Sequence, residues 1–252
     1  MNQTPSIFLV GYGGANNTGA EIRILTIIDD IRAVFGDCAY ITVGTVSKEK
    51  TLRVLSECET LRVVQFPSIF PRTIWRLTRQ HDLVMLVEGS TFKDNWSSVL
   101  LYLFLWAAWC AHFHGRRCIA YAVDAGRMSR FNRWLTRRIC GGIDLIITRT
   151  EVAREALRAL GVMQDIVVTT DTAFQFQGPR SQRVGDRPVV GLAPIEFYQW
   201  PVRFRLWGRK EHCYQWPYYF SWDNARRRNS HDLVSTWADL VRHIVEDYGW
   251  QV

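Results

Sequence analysis

Residues 6–35 read SIFLVGYGGANNTGAEIRILTIIDDIRAVF. The opening SIFLVG is a short apolar run that stops at Gly11, the pattern of a buried strand. From Glu21 to Phe35 the apolar residues fall at Ile24, Ile27/Ile28, Ile31 and Val34/Phe35. That 3.6-residue period predicts a helix, with Gly36 as its stop. A strand, a glycine-rich turn and an amphipathic helix make the first half of a βαβ unit, which implies a parallel sheet with helices on its faces.

The alternation continues. Strands are expected at Cys38–Val43, Leu61–Phe66, Asp82–Val87, Cys118–Val123, Ile143–Thr148 and Asp165–Thr169, and helices at Lys48–Leu55, Trp96–His112, Ser129–Cys140 and Thr150–Leu160. Ser129 and Thr150 read as N-caps. In the helix from Ser129, Phe131, Trp134, Leu135 and Ile139 form the apolar face. The expected fold over residues 1–175 is therefore an α/β, doubly wound parallel sheet of Rossmann-like type. Residues 176–188 lie in a stretch rich in Gly, Pro, Gln and Arg and read as a linker. Beyond it, Val189–Ala193 restarts as a strand, Ser230–Tyr248 is an amphipathic helix (Leu233, Trp237, Leu240/Val241, Ile244/Val245), and Trp250–Val252 opens another strand. One βαβ step leaves sheet edges unpaired, so residues 189–252 are expected to be the start of a second, truncated Rossmann-like domain. Between strand and helix lies Phe197–Trp222, 11 of whose 26 residues are aromatic, interleaved with Arg203, Arg205, Arg209 and Lys210. That insert suits packing between domains, or contact with a sugar or lipid-linked acceptor; nucleic acid is not expected there.

Composition narrows the class. The 252 residues are 48% hydrophobic and 22% charged, which excludes disordered, collagen-like and low-complexity chains. The net charge is +7, and residues 116–158 hold 10 basic against 4 acidic side chains, a balance that suits an anionic partner or a solvated helix face. Six cysteines without a CxxC pair, and no HExxH, imply free thiols in a reducing cytosol and no metal. The N-terminus has no basic segment ahead of its apolar run, so no signal peptide is expected. Val99–Ala111 (VLLYLFLWAAWCA) is too short to span a bilayer. It reads as a helix buried against the sheet, with a peripheral membrane contact as the other reading.

Five polar loops follow five of the strands. Gly11–Gly19 lets the backbone turn sharply and approach a ligand. It matches neither GxGxxG nor GxxxxGK[ST], and it also reads as a plain strand–helix turn. Glu88-Gly-Ser-Thr-Phe-Lys-Asp94 brings a carboxylate, hydroxyls and an ammonium together, suited to a polyol or to capping the next helix. Tyr121–Arg127, Thr148–Glu151 and Asp171–Phe174 complete the set. In a parallel sheet all five share one rim, where ligands bind in open α/β folds.

In their order and spacing, Gly11–Glu21, Glu88–Asp94, Tyr121–Gly126, Arg149–Glu151 and Asp171–Phe174 resemble the polysaccharide pyruvyl transferase family, whose motifs run GYxGxxNxGDE, GGGxxxD, YxxGxGP, R[DE]xxS and DPAF. The chain departs from these at Ala20, at Glu88-Gly89-Ser90, at the missing proline of GxGP and at Ala153, as a divergent member would. The resemblance implies a two-domain, GT-B-like arrangement. It implies transfer of pyruvate from phosphoenolpyruvate to a hydroxyl pair of a cell-surface saccharide, forming a ketal and releasing phosphate. It also places most of the phosphoenolpyruvate site, including a His, in a C-terminal region beyond Val252.

On this reading no cofactor is needed, phosphoenolpyruvate being the donor substrate. The partners are a saccharide or lipid-linked saccharide, with possible peripheral contact to a membrane. The expected location is cytoplasmic, with the inner face of the membrane as a further reading. Glu88 and Asp124 are the candidate bases for the acceptor hydroxyl, because desolvation after a buried strand raises a carboxyl pKa. Asn17, Ser90 and Lys93 are expected to hold the acceptor, Gly11, Gly13 and Gly14 to shape its pocket, and Arg127 and Arg149 to face the donor's phosphate or carboxylate. Two alternatives stand beside this function: a GT-B glycosyltransferase using a nucleotide sugar, and an inactive saccharide-binding relative or fragment.

Overall fold

The computed structural model describes residues 4–95, 97–178, 187–194, 202–204, 218–220 and 224–252. Its centre is seven strands: β1 (Ser6–Gly13), β2 (Tyr40–Thr45), β3 (Leu61–Gln65), β4 (Leu83–Leu86), β5 (Arg117–Val123), β6 (Leu145–Thr148) and β7 (Ile166–Val168). All six ladders are parallel, in the order β3-β2-β1-β4-β5-β6-β7. This is the Rossmann-like α/β sheet expected from the alternation. The direction of winding reverses between β1 and β4, which opens a crevice at their carboxyl ends. The five polar loops all leave the sheet at that edge.

Strand periodicity builds the two cores. On one face, Ile7 and Leu9 of β1 meet Ile24, Ile27, Ile28 and Ile31 of α1 (Thr18–Phe35). On the other, Phe8 and Val10 join a larger cluster beneath α3 (Pro71–Gln80), α4 (Ser98–Phe113), α5 (Arg130–Cys140) and α6 (Glu151–Ala159). A short α2 (Lys48–Thr51) links β2 to β3.

Three local differences from the sequence reading have physical causes. Helix α3 was not anticipated: no Ser, Thr or Asp caps it, and its N-cap is Phe70. Pro71 at its first turn and the spacing of Ile74, Leu77 and Thr78, all buried, are its signature. Helix α4 begins at Ser98 with Ser97 as cap, the Ser97 Oγ accepting from the Val99 amide at 3.2 Å; Trp96 lies outside the described residues.

Helix α5 is turned in part relative to expectation: Leu135 and Ile139 pack against the core as anticipated, but its most buried residues are Asn132, Thr136 and Cys140. Phe131 and Trp134 are 60% and 58% exposed. The cause is polar. Asn132 Nδ2 donates to Asp94 Oδ2 at 2.7 Å, its Oδ1 accepts from the Tyr102 hydroxyl at 2.9 Å, and Thr136 Oγ1 donates to Met128 Sδ at 3.4 Å. These bonds draw the Asn132 face inward and leave the aromatic face outward.

The apolar run of α4 is buried along one side, as expected, through Leu101, Phe104, Leu105, Ala108 and Ala111. No helix among the described residues is long and apolar enough to cross a membrane. Toward the C-terminus, α7 (Asn224–Tyr248) starts six residues before the anticipated cap at Ser230. The Val190 amide donates to the Gln251 carbonyl at 2.8 Å, and the Gln251 amide to the Pro188 carbonyl at 2.9 Å, a short parallel bridge joining the two expected strand starts. Within the aromatic insert, β8 (Val202–Phe204) and β9 (Tyr218–Phe220) pair antiparallel. The rest of 197–222 and most of the expected linker, residues 179–186, lie outside the described residues.

Candidate functional site

The first loop is shaped by close packing. A Cβ on Gly13 would come within 2.6 Å of Ile24 Cδ1, and one on Gly14, which has φ +74°, within 2.4 Å of the Ser47 carbonyl. Gly14 tolerates no side chain, meeting backbone at a positive φ, whereas a Cβ on Gly13 would require Ile24 to shift. The Gly11 backbone lies against Val87. Asn17 caps α1, its Oδ1 accepting from the Ala20 amide at 3.2 Å, and its side chain is exposed at the rim.

Beside this loop six charges alternate in sign across five elements. Arg23, on α1 and only 4% exposed, places Nε 3.3 Å from Asp171 Oδ1 and donates from Nη2 to the Ala122 carbonyl at 2.6 Å. Arg149, after β6, donates from Nη1 to Asp171 Oδ2 at 2.6 Å and from Nη2 to Asp124 Oδ2 at 3.0 Å. Lys93 Nζ reaches the same Asp124 oxygen at 2.5 Å. Glu88, after β4, faces Arg23 and Arg149 and accepts from the backbone amides of Gly89 and Ser90.

Backbone geometry makes the assembly possible. Ala122 is fully buried with φ 51°, at a bulge where the β5–β6 register shifts. That conformation costs about 1–3 kcal/mol for a residue with a Cβ. It turns the Ala122 carbonyl to Arg23, whose charge-assisted bond offsets the strain. Gly89 is equally constrained: a Cβ there would lie 2.5 Å from Arg23 Nη1 and 2.8 Å from Arg149 Nη1. Both guanidinium groups therefore rest directly over the Gly89 backbone.

The two candidate bases are in opposite states. Burial holds the Glu88 carboxyl above its usual range, and it prevails over the pull of Arg23, the two amides and Arg149. At Asp124 burial also pushes upward, but the hydrogen bonds from Lys93 and Arg149 outweigh it, and the carboxyl sits below its usual range. The expectation that desolvation raises both fails at Asp124, which has two cations on one oxygen and stays anionic. With all six ionised, three cations balance three anions; a proton on Glu88 leaves a surplus of one positive charge.

The structure gathers Glu88, Lys93, Asp124 and Arg149 into this network, with Ser90 beside it through its amide. Arg127 is exposed and has no ion pair among the described residues. Two residues that the sequence reading did not select, Arg23 and Asp171, complete the set. Arg23 carried a signal: it falls three residues after Ala20 and four before Ile27, on the edge of the buried stripe of α1, where an unpaired charge is not tolerated.

The sequence profile of the polysaccharide pyruvyl transferase family matches residues 17–252. The chain belongs to the polysaccharide pyruvyl transferase family. Among curated proteins none matches this pyruvyl transferase family member. Solved structures similar to it include a Staphylococcus aureus MnaA bound to UDP, with 12% identity and a TM-score of 0.48, covering 71% of this chain and 49% of that one. Another is a Listeria monocytogenes protein provisionally assigned as a UDP-N-acetylglucosamine 2-epimerase, with 11% identity and a TM-score of 0.43, covering 64% and 43%. A third is Escherichia coli BdcA, with 16% identity and a TM-score of 0.34, covering 65% and 96%. The family member thus spans about half the length of the first two structures.

Proposed function

We propose that the protein transfers pyruvate from phosphoenolpyruvate to two hydroxyls of a cell-surface saccharide, and that residues 189–252 open the second α/β unit of a GT-B-like pair. A proton adds to the enol methylene, giving a methyl group and an oxocarbenium-like carbon. One sugar hydroxyl attacks that carbon and loses its proton to a base. The bond from carbon to the phosphate oxygen breaks and phosphate leaves; the second hydroxyl adds to the oxocarbenium-like carbon so formed, loses its proton to the departing phosphate and closes the ketal.

The observation that carries this reading, beside family membership, is Glu88: a buried carboxyl at the rim that faces Arg23 and Arg149, its pKa pushed upward by burial. A base of raised pKa is better matched to a hydroxyl proton near neutral pH than an ordinary carboxylate. Asp124, held anionic, orients Lys93 and Arg149 toward an anionic donor rather than moving protons. On this reading Asn17 and Ser90 bond the hydroxyls of a polyol.

The test is phosphate release from phosphoenolpyruvate, followed with and without a panel of saccharides and lipid-linked saccharides. Release that depends on the saccharide, with a new ketal methyl signal in the product, is expected. No saccharide-dependent release across the panel overturns the proposal.

A further inference from the structure

We propose that the outer face of α3, α4 and α5 is a docking surface for an anionic lipid membrane. Two independent observations meet on it. The first is aromatic. Trp75, Trp106, Trp109 and Phe113 form a contiguous ring cluster, with Trp106 and Trp109 centroids 4.9 Å apart and Trp75 and Phe113 5.0 Å apart. Trp109 and Phe113 are exposed, and so is the pair Phe131 and Trp134 on α5. Between them runs an open apolar groove of about 500 Å³, lined in part by Phe70, Val99, Trp106 and Leu135. Contiguous exposed apolar surface of this kind marks an interaction site. Tryptophan, with an apolar body and one polar N–H, is the residue that settles at a membrane interface.

The second observation is charge. Helices α3 and α5 carry seven arginines, Arg72, Arg76, Arg79, Arg130, Arg133, Arg137 and Arg138, all exposed; α3, α4 and α5 together contain no Asp or Glu. No ion pair among the described residues engages any of the seven. Helix α6, next along the same sheet face, mixes signs, with Glu151 and Glu155 beside Arg154 and Arg158.

A field of one sign around an apolar patch fits an anionic headgroup layer over acyl chains. It disfavours a symmetric contact with a second copy, which would set arginine against arginine. It equally disfavours coverage by the chain's own aromatic insert, whose Arg203, Arg205, Arg209 and Lys210 bring more of the same charge. The face carries none of the site residues, so this inference does not depend on the proposed reaction.

The experiment is co-sedimentation of the protein with vesicles of phosphatidylcholine alone and of phosphatidylcholine mixed with phosphatidylglycerol, at low and high salt. Binding to the anionic vesicles alone, weakened by salt, is expected. Replacing Arg130, Arg133 and Arg138 together by Glu should weaken it by about 100-fold or more, as three interfacial charges predict. Trp109→Ser with Trp134→Ser should weaken it at unchanged net charge, while Arg242→Glu on α7 should leave it unchanged. Equal binding to neutral vesicles, no binding to either, or an equal loss in the Arg242→Glu variant overturns the proposal. So does a dimer in light scattering that the tryptophan variants dissolve without any vesicle binding. Retention of vesicle binding by the triple arginine variant, with loss of single-stranded oligonucleotide binding, also overturns it and assigns the face to nucleic acid.

Discussion

The Nε of Arg23 on the first helix lies 3.3 Å from Oδ1 of Asp171, beyond the seventh strand, while the other carboxylate oxygen of Asp171 accepts from Arg149. One carboxylate thus compensates two guanidinium groups, of which Arg23 is almost fully enclosed. The same Asp171 Oδ1 accepts from the Ala173 amide at 3.1 Å and starts the 3-10 turn Thr172–Gln175 that packs on α1.

Asp171→Ala should therefore destabilise the fold by about 3 kcal/mol, because a buried cation loses its compensation rather than merely a contact. Urea unfolding measures it. Asp171→Asn should recover only part, since an amide keeps the cap but not the charge. Equal stability of Asp171→Ala and the unmodified chain would contradict the ion-pair assignment.

Gly89→Ala should disperse the two guanidinium groups, because its methyl would stand within 2.5 Å of one and 2.8 Å of the other. A cost of about 1–3 kcal/mol is expected from such overpacking. The loss of saccharide-dependent turnover should be larger than the loss of stability implies. Turnover and unfolding measured on the same preparation separate the two effects.

Glu88 and Asp124 make opposite contributions to stability as pH changes. Glu88 has its folded pKa raised above the ordinary 4.5, so the folded state binds its proton more tightly than the unfolded chain. Stability from this group is present at low pH and declines as pH rises from that ordinary value through the folded pKa. Asp124 has its pKa lowered from 3.8, so its contribution is present above that value and is lost as pH falls through the folded pKa. Glu88→Gln should gain on the unmodified protein as pH rises from 4 toward neutrality, by about 1.4 kcal/mol for each pH unit crossed below the folded pKa. Asp124→Asn should instead lose most at neutral pH. Parallel unfolding curves across pH would refute both assignments.

In turnover the same two positions should separate as well. Glu88→Gln should lower the rate of saccharide-dependent phosphate release about 100-fold or more and flatten its acid limb, as removal of a general base does. Asp124→Asn should act mainly on the donor, raising the KM for phosphoenolpyruvate while keeping the pH profile. An unchanged acid limb in Glu88→Gln removes that carboxyl from proton transfer.

Asn17 distinguishes capping from recognition. Asn17→Ala should cost about 1 kcal/mol through the lost cap, and Asn17→Asp should restore it. If Asn17 also donates to the acceptor, Asn17→Asp will still raise the saccharide KM, since a carboxylate cannot donate. Wild-type KM in Asn17→Asp reduces the residue to a cap.

The parallel sheet was legible because most strands are short apolar runs closed by a glycine or a polar loop and alternate with helical periods, the central ones, such as LVML in β4, being buried on both faces. The single rim followed from that parallelism. Helix α3 was not legible from caps, because Pro71 and packing start it rather than a hydroxyl. Helix α5 misled through Phe131 and Trp134: periodicity identifies an apolar stripe but not which side of the helix the core claims, and Asn132 settled that through Asp94 and Tyr102. At the site, Glu88, Lys93, Asp124 and Arg149 stood out as polar residues after strands. Arg23 was hidden inside a helix, and the opposite titration of Glu88 and Asp124 depends on which cations reach which oxygen, a matter of three-dimensional distance that spacing along the chain does not encode.

The placement of Arg23 also orders the birth of the molecule. During synthesis the first helix leaves the ribosome when none of Glu88, Ala122 and Asp171 yet exists. Until its partners emerge, Arg23 must stay in water, since enclosing it unpaired is too costly; Glu88 arrives with the fourth strand, and Asp171 completes the compensation only after the seventh. The isoleucine face of the helix can settle on β1 and β2 early, but the end of the helix that bears Arg23 gains its full set of partners only when Ala122 and Asp171 have joined Glu88. A nascent or prematurely ended chain lacking Asp171 is thereby kept from forming the rim, and the six-charge cluster serves as a late checkpoint on the completeness of the fold.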